Sequence, residues 1–402
     1  MLCGIFYQKE KEKIATKVTI LAPDLSHNCI SRAYLLSKIV QKRYEVEIVG
    51  PIFGDGIWEP LSNSTDVNYK FVKVKSKVFT FLQLKELLGK ISGDVIYVSK
   101  PLFTSFFIGL IDSKRRKKHL ILDIDDWELG FIQESFKRLS LVNRFISLGY
   151  AAVFPHQIAS YWNRLFCEKL IPFADEITVS NSFLHSKFGG TIIWHGRNTN
   201  DFDPMKFDKN YLREIYTIDS NKKIVMFFGT PRPYKGVEDL IKAASLIRDP
   251  NILLIVVGVG KDEYSQKLVK MGKELLGNRF LAFGLQPFEK VPEFLAISDV
   301  VVIPQKVSSS TIGQVPAKVF DAMAMAKPIV STAASDLPDI LDGCGWIIKN
   351  SNSKKLAEVI HYVIHNSEEA KKMGCKARQK CVEKYSWDAL ADTLLPVFRK
   401  YE

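Results

Sequence analysis

Short β-branched runs alternate with helical patterns from one end of this chain to the other. That alternation is the sequence signature of parallel sheets built from βαβ units. In the first half the runs are Lys17 to Pro23, Glu45 to Pro51, Asp94 to Ser99, Leu120 to Asp125, Glu176 to Asn181 and Thr191 to Gly196. In the second half they are Lys223 to Gly229, Ile252 to Gly258, Phe280 to Gly284, Asp299 to Pro304, Pro328 to Thr332 and Gly345 to Lys349. Six runs on each side predict an α/β protein of two Rossmann-like, doubly wound domains. A length of 402 residues with 47% hydrophobic side chains is enough for two cores of that size. The polar stretch Gly196 to Phe207 marks the boundary and predicts domains over 14–196 and 207–386, with ligands at the carboxyl ends of both sheets.

The net charge of +12 points to acidic partners, and residues 1 to 200 carry 27 basic against 19 acidic side chains. The six cysteines have neither C-x-x-C nor metal-site spacing, which fits a reducing cytoplasm. The start, Met1 to Tyr7 followed by a Lys/Glu run, has no signal-peptide core, and no stretch of about 20 residues is apolar enough to span a bilayer. Phe145 to Asn163 comes nearest, but it contains Pro155, His156, Gln157 and Ser160 and reads as a buried or interfacial segment.

Two local motifs carry chemistry. Gly229-Thr230-Pro231-Arg232-Pro233-Tyr234-Lys235-Gly236 ends a strand, turns with two cations, and leads into a helix expected near Val237. Cations beside the free N–H groups of a helix terminus suit a diphosphate. In Gly313-Gln314-Val315-Pro316-Ala317-Lys318-Val319-Phe320-Asp321, Pro316 is expected in the first turn of a helix, with Val319, Met323 and Ala326 on its apolar face. Lys318 and Asp321 then share a neighbouring face. A carboxylate there can accept both hydroxyls of a ribose; the other reading of the pair is an ordinary surface ion pair.

With these motifs the chain resembles the retaining glycosyltransferases of the GT-B fold, family 4 (glycosyl transferases group 1). The turn is similar to the family's Gly-Arg...Lys-Gly phosphate loop, and Pro316 to Val330 resembles its Pro-Leu-Lys-x-x-Glu-Ala-Met-Ala-x-Gly-x-Pro-Val signature. Ala174 to Ser180, His195 to Thr199 with Phe202-Asp203-Pro204, Ile297 to Pro304 and Tyr385-Ser386-Trp387 are further points of likeness. The resemblance implies a nucleotide-diphosphate sugar in the second domain and the acceptor in the first, with the helix after Ser386 (387–402) returning to the first domain. It implies that Arg232 and Lys235 neutralise the diphosphate, that Asp321 holds the ribose, and that the backbone of Gln314 and Val315 meets the donor sugar. Gly229, Gly313, Lys318 and the loop residues Ser26 and His27 are the remaining donor-side candidates. His185 and His195 lack metal spacing and read as structural.

The chain departs from the family at three places. Gly313 stands where the first of two family glutamates lies, eight positions before Asp321. Thr230 stands in place of the arginine after the turn glycine, and Asp24-Leu25-Ser26-His27-Asn28-Cys29 replaces a glycine-rich loop. Asp125 and Asp126 occupy the place of a cleft histidine and are expected to contact donor or acceptor. Asp123-x-Asp125 could alternatively hold a divalent metal on a diphosphate. Against that, the nucleotide motifs lie in the other half of the chain, so no metal and no cofactor beyond the sugar-nucleotide co-substrate is expected.

Lys114 to Lys118, with the aromatic-rich segment Phe131 to Phe173, reads either as contact with anionic headgroups or as a solvated turn over core helices. The expected function is transfer of a sugar from a nucleotide-diphosphate sugar to a glycan, lipid-linked or small-molecule acceptor, with retention. The expected location is cytoplasmic, with peripheral contact on the inner membrane face as one reading and no nucleic-acid partner. The alternatives are an epimerase or phosphorylase of the same fold and a non-catalytic partner of another transferase.

Overall fold

A computed structural model of the chain describes residues 16–74, 80–137, 140, 143, 160–349 and 352–402. Two parallel sheets organise it. The first has the order β3-β2-β1-β4-β5-β6-β7, with β1 (Lys17–Leu21), β2 (Glu45–Ile52), β3 (Asn68–Lys73), β4 (Val95–Ser99), β5 (His119–Ile124), β6 (Glu176–Val179) and β7 (Thr191–Ile192). The second has the order β10-β9-β8-β11-β12-β13, with β8 (Lys223–Phe228), β9 (Ile252–Val259), β10 (Phe280–Gly284), β11 (Val300–Ile303), β12 (Ile329–Thr332) and β13 (Trp346–Ile348). Near-continuous apolar strands such as Lys223–Phe228 and Ile252–Val259 are buried on both faces, as parallel sheets covered by helices require.

The first sheet thus has seven strands where the sequence predicts six. The added strand, β3, lies at an edge and alternates polar with apolar residues, most of them at least partly exposed, so it lacks the buried run that marks the others. The expected run Thr191 to Gly196 shrinks to two paired residues, because β7 is the opposite edge. Pro316 also falls outside its predicted helix, which spans Lys318–Ala324. The Pro316 carbonyl accepts the Val319 N–H at 3.0 Å, so the proline shapes the turn that leads into the helix.

The chain crosses between the sheets twice, and the two crossings lie side by side. The Arg197 N–H donates to the Tyr385 carbonyl and the Trp387 N–H to the Arg197 carbonyl, each at 3.0 Å. A Cβ at Gly196 would lie 1.9 Å from the Tyr385 carbonyl oxygen, so only glycine permits this approach. Ser386 caps the final helix, Trp387–Arg399, through the Ala389 N–H. That helix buries Leu390, Leu394 and Phe398 in the core of the first domain, beside the helix Ile30–Val40.

Candidate active site

A cavity of about 470 Å³ lies between the domains, at the carboxyl ends of both sheets. Its first-domain wall is built around Lys100, which follows β4 and has the left-handed backbone angle φ 70°. Register pairs Ser99 with Asp123 across β4 and β5, so the residues beyond them converge. The Lys100 ammonium meets Asp125 at 2.9 Å, Glu128 at 3.2 Å and the Asp126 carboxylate. Burial opposes the lysine's charge, but the three carboxylates outweigh it and hold the group well above its ordinary range. Burial raises Asp125 to about 7 in spite of Lys100, with Asp126 and Asp123 adding to the rise. The Asp125 oxygen facing Lys100 makes an ion pair without hydrogen-bond geometry.

Asp123 belongs to the scaffold. The Arg32 guanidinium donates to both of its oxygens, at 2.8 and 2.9 Å, and the Thr178 hydroxyl adds a bond of 2.7 Å. Asp123 and Asp125 therefore do not form a free carboxylate pair.

The second-domain wall has the opposite character. Gly229, at φ 100°, ends β8 and leaves room for Lys318: a Cβ there would stand 3.3 Å from the lysine Nζ. Lys318 is buried, sits 3.6 Å above the Phe227 ring centre, and its amine has no hydrogen-bond partner among the described residues. Burial and then Lys235 push Lys318 well below its ordinary range, against the pull of Asp321. Lys235 donates to the Thr230 carbonyl at 2.9 Å, and burial followed by Arg232 lowers it to about 8. Neither lysine forms an ion pair among the described residues.

Asp321 is buried and lines the cavity, but its partner is Arg197 rather than Lys318. Arg197 Nη2 donates to Asp321 Oδ2 at 3.3 Å and Nε approaches the other oxygen. Burial raises the Asp321 carboxyl and Arg197 draws it back. The other reading of this motif, a surface Lys318–Asp321 pair, thus gives way to two buried groups that face different surroundings.

Several predicted residues converge on the cavity: Asp125, Asp126, Gly229, Gln314, Val315, Lys235, Lys318 and Asp321. Gln314 Nε2 also donates to Asp126 at 2.7 Å, joining the two walls. Ser26 and His27 do not line it. Ser26 is tied to Asp24 and Gly54, the His27 side chain is 70% exposed, and Asn28 and Cys29 face the cavity in their place. Arg232 is exposed and outside the lining, near enough to depress Lys235.

Gly313 packs against the other domain. A Cβ there would come within 2.7 Å of the Trp127 Cβ, so the glutamate found at this place in the family has no room. Lys100, Arg197 and His195 are the residues missed as site members. His195 lines the cavity, and burial together with Arg32, Arg197 and Lys100 pushes it well below its usual range, leaving a neutral imidazole. The sequence signal for Lys100 was a lysine directly after a buried strand, at the end of the sheet where ligands bind.

Of the basic cluster, Arg116 donates to the Leu88 and Ile91 carbonyls and Lys118 to that of Gly93, while Lys114, Arg115 and Lys117 remain exposed. Most of the segment 145–163 lies outside the described residues. Among the described residues no helix is long and apolar enough to cross a membrane.

Two parallel-sheet domains facing each other across a cavity have the GT-B arrangement. Residues 208–380 match the family model of glycosyl transferases group 1, and the two sheets have the GT-B fold. It is 25% identical over 206 residues to alpha-maltose-1-phosphate synthase of Mycolicibacterium smegmatis, covering 48% of this chain and 51% of that protein. The chain therefore spans about half the length of this relative. It is 24% identical to an uncharacterized glycosyltransferase of Methanocaldococcus jannaschii, over 78% of this chain and 76% of the other. The Anabaena protein HepE, in a crystal structure with UDP and glucose, superposes with a TM-score of 0.72 at 17% identity, over 96% of this chain and all of that one.

Proposed function

We propose that the protein transfers a sugar from a nucleotide-diphosphate sugar to a hydroxyl-bearing acceptor, with retention at the anomeric carbon and without a bound metal. The observation that carries this reading is the pair Lys235, half-buried, and Lys318, buried, two amines on one wall of the cavity with no carboxylate partner among the described residues. A departing diphosphate is the charge such a wall is suited to stabilise, because its donors are fixed before the bond breaks. Arg232 adds charge from the rim. Asp321, oriented by Arg197, holds the ribose hydroxyls, and the backbone of Gln314 and Val315 meets the sugar. Asp125 and Asp126, held by Lys100, supply polar contacts to the donor sugar or the acceptor on the facing wall.

The acceptor is a glycan, a lipid-linked sugar or a small molecule. The exposed cations Lys114, Arg115 and Lys117 support contact with the anionic inner face of a membrane in the cytoplasm. Binding to anionic vesicles at low salt, reversed at high salt, is the expected outcome; equal binding to neutral vesicles would remove that contact.

The test of the main reading begins with a thermal-shift screen of nucleotide sugars, UDP-glucose among them because HepE has been crystallised with it. NMR of the product formed from the stabilising donor then reads the anomeric configuration. Chelation is expected to leave turnover within about twofold, since the lysines supply the charge. Inversion, or activity that chelation abolishes and manganese restores, would overturn the corresponding part of the proposal.

A further inference from the structure

A second cavity, of about 320 Å³, opens at the other end of the second sheet. Lys223 at the start of β8, Asp299 ahead of β11 and Lys327 ahead of β12 line it. It therefore lies at the amino ends of the sheet, whereas Phe228 and Gly229, at the far end of β8, belong to the interdomain cavity. Lys209 and Lys371 bring the lysines in its wall to four.

The one carboxylate of this wall among the described residues, Asp299, is already engaged. Asp299 accepts from Lys209 at 2.6 Å, from Arg213 at 2.8 Å and from the Ile224 N–H at 2.7 Å. Lys327 donates to the carbonyls of Ala296 and Ser298, at 2.8 and 3.1 Å, and an ammonium has three protons, so one is left for the cavity. Burial and then Lys209 push Lys327 down to about 7, with Asp299 opposing and Arg213 adding to the fall. Lys223 and Lys371 are exposed at the rim.

Two further features favour an anion with an organic part. The 18-residue helix Ser367–Lys384 begins at the cavity without a side-chain cap, because the Asn366 amide donates to the Tyr362 carbonyl instead. Glu368 and Glu369 share that first turn, and Glu369 is held by the Tyr362 hydroxyl at 2.7 Å. Beside Ser298 and Ser367, the rest of the wall is apolar, formed by Ala326, Pro328, Val363, Ile364 and Ala370.

We propose that this rear cavity binds a small phosphate monoester, its phosphoryl group among Lys209, Lys223, Lys327 and Lys371 and its organic part against the apolar wall. The site is separate from the donor site and independent of the identity of the donor. The probe is hexose 6-phosphate, titrated calorimetrically into the full chain at about 0.15 M salt, where diffuse surface attraction is screened. One saturable site is expected, retained in Lys235→Ala and weakened roughly tenfold or more in the double variant Lys223→Glu/Lys371→Glu. Both reversed residues are exposed, so the fold should be kept, and an unchanged melting curve checks this.

Inorganic phosphate, lacking the organic part, is expected to bind more weakly. Equal affinity for inorganic phosphate would overturn the assignment of an ester. Absence of saturable binding, or binding lost in Lys235→Ala and kept in the charge-reversed variant, would overturn the site.

Discussion

The two walls of the interdomain cavity hold their charge in opposite ways. On the first-domain wall Lys100 is ringed by Asp125, Asp126 and Glu128, so that wall satisfies itself. On the second, Lys235 and Lys318 have no carboxylate partner among the described residues, and Asp321 is committed to Arg197. Burying an unpaired cation costs several kcal/mol, and a fold retains one where a ligand supplies the missing charge. The difference separates a wall that positions groups from a wall that awaits an anion.

The contrast depends first on Asp321. Replacing it with alanine leaves the buried Arg197 without its partner and should cost about 3–5 kcal/mol of stability, read from denaturant unfolding. If Asp321 also holds the ribose, calorimetry should show nucleoside diphosphate binding about 10 to 100-fold weaker. Lost stability with unchanged affinity would make Asp321 a strut and remove it from the site.

Lys235→Ala tests the cationic wall itself. Turnover should fall on the order of 100-fold, as for losing a charge stabiliser worth about 3 kcal/mol. A comparable fall in Arg232→Ala would move the main charge to the rim and weaken the contrast between the walls, because Arg232 is exposed.

How the walls meet can be disturbed at Gly313, where even a methyl group would approach the Trp127 Cβ to 2.7 Å. Gly313→Ala should cost about 1–3 kcal/mol in the closed arrangement, as overpacking does. The scattering radius should rise as the cleft opens, and Trp127→Gly should offset the change. An unaltered radius and stability would mean that the walls do not bear on each other at this point.

The sheets were legible because a buried parallel strand needs an uninterrupted apolar run, and eleven of the twelve expected runs coincide with a strand over more than half their length. The edges were not: β3 is half solvated, and β7 is too short to leave a pattern. On the second-domain wall the site residues lie close together in sequence, from Gly229 to Lys235 and from Gln314 to Asp321, so local motifs reveal them. Lys100 becomes a site residue only through the pairing of β4 with β5, and Arg197 meets a partner 124 positions away. The loop after β1 misled by two positions. Its side chains bond to one another and to Gly54, turning Ser26 and His27 away from the cavity while Asn28 and Cys29 face it.

The smallest effect expected is on pH dependence, and it bears on the same contrast. Unliganded, Lys235 titrates near 8 and Lys318 well below its ordinary range, so both shed protons readily. A bound diphosphate favours the charged forms and raises both values. Between the free and bound values the complex holds more protons than the free protein, so binding takes up protons and affinity falls as pH rises through about 8. With one proton taken up the fall approaches tenfold per pH unit. The first wall should add a fall of the same sign at lower pH if the diphosphate lies near Asp125, which titrates near 7 and would repel the ligand once ionised, so affinity would already decline below pH 7. Calorimetry of a nucleoside diphosphate at pH 6, 7, 8 and 9 in buffers of differing ionisation enthalpy reads both the affinity and the protons exchanged. A decline centred near 8 that Lys235→Ala reduces places the anion on the second wall. Affinity independent of pH would mean that the lysines do not meet the diphosphate.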